Sequence, residues 1–225
     1  MIDLLLPPGV GWAERFDDAV PDELLAGEEA VVARAVPKRR REFVTGRWCA
    51  RQALAQLGVA PTAILPGERG APGWPAGMVG AITHCDGYRA AAVARTAQVR
   101  TIGVDAEPNA PLPDGVLALV SLPPEREEIA ALARREPALS WDRLLFSAKE
   151  SVYKAWFPLA RRWLGFTDAR VRFQPDGPAS GEFVAELLAD GTTVTGAEAL
   201  TGFSGRWLVA DGLVVTAIVV PVDRR

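Results

Sequence analysis

Val99-Arg100-Thr101-Ile102-Gly103-Val104-Asp105-Ala106-Glu107 is the stretch on which the reading of this chain turns. Its apolar, β-branched content predicts a strand, and residues two apart on a strand share one face. Asp105 and Glu107 therefore point the same way. Two carboxylates side by side repel each other unless a cation lies between them. An oxygen-only pair at this spacing suits Mg²⁺, which keeps waters and takes substrate phosphates to complete its shell. The plainer alternative is a solvated strand end just ahead of Pro108.

Working outward, MVGAITH (78–84) and YRAAAVAR (88–95) predict two further strands upstream of this one. A Pro- and Gly-rich segment over 61–77 is a predicted loop, and residues 22–57 read as helical, with Pro37 suited to a first turn and Gly58 to an exit. Downstream, the Pro-rich 108–124 is a predicted connection, followed by helix from Pro124 to about Phe157, broken at Pro137. The tail predicts strands in ARVRFQP, GEFVAELLA and GRWLVADGLVVTAIVV, with Asp-Gly pairs at 176–177, 190–191 and 211–212 marking turns. Helix followed by strands in each half gives an α+β fold of two subdomains, 1–107 and 108–225, with a site expected at their interface.

Composition excludes several functions. The 225 residues are 49% hydrophobic, enough to bury a substantial core. Lys+Arg 25 against Asp+Glu 28 leaves a formal charge of −3, so the chain as a whole has no attraction for nucleic acid or anionic lipid. The apolar run at 213–222 is too short to span a bilayer, and the N-terminus lacks the basic start of a secretory signal. Cys49 and Cys85 make no disulfide framework, and with His84 as the one histidine no familiar zinc spacing can be written. These features predict a soluble, cytoplasmic protein. No GxxxxGK[ST], GxGxxG or GxSxG pattern is present.

Two other segments carry charge in a pattern. In the helix around Phe146-Ser147-Ala148-Lys149-Glu150-Ser151-Val152-Tyr153-Lys154-Ala155-Trp156, the residues Trp141, Leu144, Leu145, Ala148, Val152 and Ala155 form a predicted core face. Arg143, Ser147, Glu150 and Lys154 lie along another. A surface ion pair between Glu150 and Lys154 is the bland alternative. The basic run Lys38-Arg39-Arg40-Arg41, with Arg47 and Arg51, places guanidinium groups near a helix start, where anions are favoured; a solvated charged face is the alternative. His84 follows a strand in Thr83-His84-Cys85-Asp86, where a structural role competes with one in the same cleft.

Taken in order, GVDAE and FSAKESVYKAW resemble the two signature motifs of the 4′-phosphopantetheinyl transferase superfamily, a G-[IV]-D-x-E strand and an [FW]-x-x-K-E-[AS]-x-x-K helix. KRRREFVTGRWCARQAL and GMVGAITHCDGYRAAAVA resemble further motifs of its Sfp and EntD branch, and WFPLARRWLGF is similar to actinobacterial members. The resemblance runs from about residue 30 to about 220. It implies two similar, pseudo-twofold-related α+β subdomains with coenzyme A between them. It implies Asp105, Glu107 and Glu150 as ligands of Mg²⁺, with Mn²⁺ as the alternative cation, and Lys154, with Lys149 beside it, at the phosphates. Arg39, Arg47 and His84, with Thr83 adjacent, resemble residues holding the 3′-phosphate and its neighbours. Pro66-Gly67-Glu68-Arg69 aligns with a stretch contacting adenine and phosphate; some relatives carry lysine where this chain has Pro66, so a charge contact there is lost or moved to Arg69. Tyr153, Trp163 and Leu164 are implied to line a pantetheine channel.

The activity so implied is transfer of phosphopantetheine from coenzyme A to a serine of an apo acyl or peptidyl carrier protein, releasing adenosine 3′,5′-bisphosphate. Catalysis is expected from Asp105, Glu150 and Lys154. Glu150 is the expected base, directly or through a water, and His84 the alternative. The resemblance also implies a monomer acting on secondary-metabolite carriers, with fatty-acid, polyketide and nonribosomal-peptide carriers all open. Two rival readings are a metal-dependent nucleotide or coenzyme A pyrophosphatase using the same carboxylates, and a nucleic-acid binder using the arginine stripe, against which the overall charge speaks.

Overall fold

A computed structural model describes all residues except 22, 195, 197, 198 and 223–225. Its elements run β1 (Gly11–Arg15), α1 (Glu28–Val32), α2 (Pro37–Gln56), β2 (Met78–Cys85), β3 (Tyr88–Arg95), β4 (Val99–Pro108), α3 (Val116–Val120), α4 (Pro123–Arg135), α5 (Trp141–Ala160), β5 (Ala169–Pro175), β6 (Ser180–Leu187), β7 (Gly202–Ala210) and β8 (Leu213–Pro221). The strands form two antiparallel sheets, ordered β1-β3-β2 and β4-β8-β7-β6-β5. This is a mixed α+β fold.

Alternation along β3 and β4 builds the layers. Ala91 and Val93 pack under α2 with Cys49, Ala50, Ala53 and Leu54. Their neighbours Ala90, Ala92 and Ala94 turn the other way and meet Ile102, Val104 and Ala106 of β4 and Val215 and Ala217 of β8. The small residues of β3 let the two sheets approach closely. On the far side of the larger sheet lies α5, whose Trp141, Leu144, Leu145, Ala148, Val152 and Ala155 are all buried, as the helical spacing predicts. Trp156 and Trp207 are also buried in that layer; a fully buried large apolar side chain contributes about 1.5–3 kcal/mol.

The structure amends the sequence reading at several points. The helix expected over 22–57 is two helices, α1 and α2; residue 22 lies outside the described residues. Val36 is extended (φ −62°, ψ 154°) because Pro37 at the first helical position disfavours helix in the residue before it. β1 is not read from the sequence: its Trp12, Ala13, Glu14 and Arg15 are all half-buried, so its face alternation is blurred. The 108–124 connection contains the short α3. α5 runs past Pro158 to Ala160. Asp211 and Gly212, at φ 51° and 74°, make the two-residue hairpin turn expected between β7 and β8. The chain changes sheets in the turn before Val99, so β4 pairs with β8.

Candidate active site

Because β4 alternates, Gly103, Asp105 and Glu107 face α5 while Val104 and Ala106 face the central core. Gly103 makes the helix fit: a Cβ there would stand 2.0 Å from the Ser151 carbonyl oxygen and 2.9 Å from the Ala155 nitrogen. Ser151 and Ser147 then share the Thr216 hydroxyl of β8, at 2.6 and 3.1 Å, and Thr101 donates to the Ala155 carbonyl at 2.7 Å. These contacts fix α5 in rotation and height, and so fix Glu150 and Lys154 against β4.

Lys154 donates to Asp105 Oδ1 at 2.7 Å and to the Val104 carbonyl at 3.0 Å. Thr83 Oγ1, from β2, donates to the same Asp105 oxygen at 3.3 Å and accepts from the Ala106 N–H at 3.0 Å. Asp105 Oδ2 is buried without a partner among the described residues. Glu107 accepts from Arg143 Nη1 at 3.1 Å. Burial, then repulsion from Asp105, raises the Glu107 carboxyl above its ordinary range, opposed by Arg143. Burial also raises Glu150, with Lys154 opposing and Asp105 adding to the rise. Three carboxylates thus face two cations in a desolvated corner.

Among the described residues no group of three His, Cys, Asp or Glu side chains stands arranged to hold a metal ion. Lys154 and Arg143 instead hold two of the three carboxylates expected as ligands. The donor chemistry still fits a hard divalent cation: the oxygens come only from carboxylates, one of them is orphaned and buried, and Glu150 has no hydrogen-bond partner among the described residues.

Beside Glu150 a cavity of about 240 Å³ is lined by Tyr153, Trp163, Leu164 and Phe166. Tyr153 packs on Trp163 with ring centroids 5.1 Å apart, and its hydroxyl is buried without a partner among the described residues. Arg69, at a φ of 52°, lays its guanidinium 5.5 Å from the centre of the Trp163 ring. Its exposed loop is closed by the Gly67 N–H to Ala71 carbonyl bond, with Pro66 bridged to Pro72, and Glu68 lies in it. The loop of the N-terminal half thereby reaches the cavity of the C-terminal half. A larger groove of about 550 Å³, on the outer face of β5–β7, is lined by Arg170, Arg172, Glu186 and Ser204 and by none of these residues.

The basic group divides. Arg40 pairs with Glu29, and Arg51 with the fully buried Glu28, which also accepts from the Ile64 and Leu25 N–H groups. Neither is left as part of a stripe, which removes the feature behind a nucleic-acid reading. Arg47 is buried, donates Nε to the Ile64 carbonyl at 2.7 Å and stacks 4.1 Å over Phe43; burial lowers its pKa to about 10. Its terminal nitrogens have no hydrogen-bond partner among the described residues. Arg39 is half-exposed, with Nη1 2.8 Å from His84 Nε2 and a Glu42 carboxylate at 3.5 Å. Partial desolvation of a ring still 40% exposed, followed by the Arg39 charge and opposed by Glu42 3.7 Å from Nδ1, pushes His84 down to about 4, so its ring is neutral at pH 7. As neighbours on β2, Thr83 and His84 face opposite ways, Thr83 to Asp105 and His84 to the start of α2.

Lys149 departs from the sequence expectation. It is buried, and its ammonium donates to Glu125 at 2.7 Å, the Phe166 carbonyl at 2.6 Å and the Ala169 carbonyl at 3.1 Å. All three of its donors are used within the chain. The helix line Leu145, Lys149, Val152, Trp156 carries the signal, since it is a core line. The sequence puts Arg143 on the helix line of Glu150 and Lys154 and Thr83 beside His84, but the bonds of Arg143 to Glu107 and of the Thr83 hydroxyl to Asp105 have no signal in it.

With this geometry the comparisons agree. Residues 27–94 match the 4′-phosphopantetheinyl transferase N-terminal domain, and residues 101–198 match the 4′-phosphopantetheinyl transferase superfamily. The chain belongs to the 4′-phosphopantetheinyl transferase superfamily. It is a carrier-protein-activating enzyme of the Sfp type, similar along nearly its whole length to actinobacterial relatives. It is 57% identical over 223 residues to 4′-phosphopantetheinyl transferase Svp of Streptomyces mobaraensis, covering 98% of this chain and 89% of that one. It is 55% identical to the transferase Npt of Nocardia iowensis (97% and 99% covered), and 53% identical to PptT of Mycobacterium tuberculosis (93% and 92% covered).

Proposed function

We propose that the transferred group comes from coenzyme A, that the acceptor is a serine of an apo acyl or peptidyl carrier protein of secondary metabolism, and that Asp105, Glu107 and Glu150 hold Mg²⁺, or Mn²⁺ in its place. The observation that carries this reading is the desolvated corner where Asp105 keeps one buried oxygen unpartnered beside Lys154 and Glu150. The bound cation would supply charge neutralisation at the pyrophosphate. Lys154, 25% exposed at its side chain, has the reach to offset charge on the departing adenosine 3′,5′-bisphosphate. Glu150 takes the serine proton, and the burial that raises its pKa makes it a stronger base. The serine oxygen–phosphorus bond forms as the pyrophosphate P–O bond breaks. His84 is neutral but faces α2, which favours a phosphate-binding role over that of base.

Arg39, His84 and the terminal nitrogens of Arg47 form the proposed seat of the 3′-phosphate, beside Thr83. Pro66, Gly67, Glu68 and Arg69 would border the adenine, and Tyr153, Trp163 and Leu164 the pantetheine arm. The site lies where the two halves meet, and the helix-then-hairpin order of α2-β2-β3 and α5-β5-β6 supports a pseudo-twofold relation between them. A monomer is part of the same proposal. A cytoplasmic location is part of the same proposal, in keeping with two free, buried cysteines.

Intact-mass measurement of a panel of apo carriers with coenzyme A and Mg²⁺ tests the reading. The expected result is a phosphopantetheine increment on the carrier serine and almost no coenzyme A turnover without carrier. Cleavage of coenzyme A with no carrier present would favour a pyrophosphatase and overturn it.

A further inference from the structure

Resting on the cation site proposed above, we infer that Arg143 is a positioning residue, holding Glu107 in place for the divalent cation and tying it to α5. Its guanidinium is a three-way clasp. Nη1 donates to Glu107 Oε2 at 3.1 Å, Nε to the Ala110 carbonyl at 3.0 Å and Nη2 to the Pro111 carbonyl at 3.0 Å. The planar fork thus grips one carboxylate and two backbone carbonyls through three separate nitrogens, a fixed spread that a single ammonium at position 143 does not reproduce.

Glu107 needs such a partner. It stands at the end of β4, its side chain is 21% exposed, and Arg143 is its hydrogen-bond partner among the described residues. One carboxylate oxygen is committed to the clasp and the other is left to the corner it shares with Asp105. The surrounding contacts make the clasp rigid. Asp142 Oδ2 accepts from the Leu112 N–H at 2.8 Å, and Asn109 bonds both the Ala138 carbonyl at 3.1 Å and the Ser140 N–H at 2.9 Å. The connection after β4 is therefore fastened to the first turn of the helix that carries Glu150 and Lys154. Glu107 and Glu150, on different elements, are held in one frame by Arg143.

By charge alone, a guanidinium beside a carboxylate would weaken cation binding, so deleting it would tighten binding. Positioning predicts the opposite sign, and this separates the two roles. Mn²⁺ titration of the full chain without coenzyme A, followed by electron paramagnetic resonance, compares the unaltered protein with Arg143→Ala, Arg143→Lys and Asp105→Asn. Arg143→Ala should weaken Mn²⁺ by about 10–100-fold, the range typical of groups that orient a ligand. Arg143→Lys should weaken it too, because it keeps the charge and loses the clasp. Melting curves set a temperature at which each variant is folded; if Arg143→Ala does not fold, Arg143→Lys carries the test. Mn²⁺ binding by either variant as tight as the unaltered protein's, or tighter, overturns the inference. If the unaltered protein shows no Mn²⁺ site that Asp105→Asn removes, the cation reading itself fails and takes the inference with it.

Discussion

The backbone of α5 rests on β4 at one point, where Gly103 lies against the Ser151 carbonyl so closely that a Cβ would stand 2.0 Å away. Neither partner is a flexible side-chain tip, so the helix must shift if Gly103 gains a methyl. Gly103→Ala should cost about 1–3 kcal/mol or more of stability, the range for overpacking a close contact. It should also lower turnover, since Glu150 and Lys154 move with the helix. Urea unfolding and carrier modification measured side by side check this; unchanged turnover in the folded variant would show that the site tolerates a displaced α5.

Asp105→Ala and Glu150→Gln should each remove most turnover and leave the fold intact. Loss of one preorganised electrostatic group commonly costs about 10²–10³ in rate. Circular dichroism and single-turnover carrier modification at saturating Mg²⁺ provide the check, and near-normal turnover by either variant would contradict the assignment.

His84 should titrate near pH 4, well below the ordinary histidine value, when its ring is followed by NMR. Arg39→Ala removes the second of the two main causes and should bring the midpoint part of the way back up. The sign for stability follows: a histidine whose pKa is lowered by folding stabilises the native state fully above its unfolded pKa, and that contribution is lost as pH falls through the window down to about 4. Between pH 7 and 8 this ring should contribute no slope to the rate.

Lys149→Ala should unfold more easily by about 3–5 kcal/mol, the usual cost of stranding one partner of a buried pair, here Glu125. At a temperature where the variant is folded, its KM for coenzyme A should be unchanged. A raised KM with unaltered stability would restore the phosphate contact expected from sequence.

Acetyl- and longer acyl-coenzyme A should serve as donors, because the cavity beside Tyr153 opens past Trp163, which is 59% exposed. Mass spectrometry of the carrier should then find the whole acyl-phosphopantetheine arm. Tyr153→Ala should alter KM among these donors more than the rate at saturation. If free coenzyme A alone reacts, the thiol end is enclosed.

Period-two and helical patterns were legible because they record burial, which is local in sequence. They gave β2–β8, α5 and the shared face of Asp105 and Glu107, and four motifs in order gave the family. What escaped depends on partners far along the chain. Thr83 and Asp105 are 22 residues apart, and Glu107 and Arg143 are 36 apart. Arg51 looked available until Glu28 met it across 23 residues. Lys149 was misplaced for another reason: its charge suggested a ligand although its helix position is a core position. Burial with a matching carboxylate resolves that conflict.

Two of the four edge strands, β1 and β5, bear helix side chains where another strand could add. On β1, the Gln56 amide accepts from the Trp12 N–H at 3.0 Å and donates to its carbonyl at 2.6 Å. On β5, Glu125 and Glu128 of α4 accept from the Val171 and Phe173 N–H groups at 2.7 and 3.2 Å. Helix residues thus imitate a neighbouring strand at both borders. An open border is a template for copies to stitch together. A copy arriving edge-on at β1 or β5 meets these positions already taken.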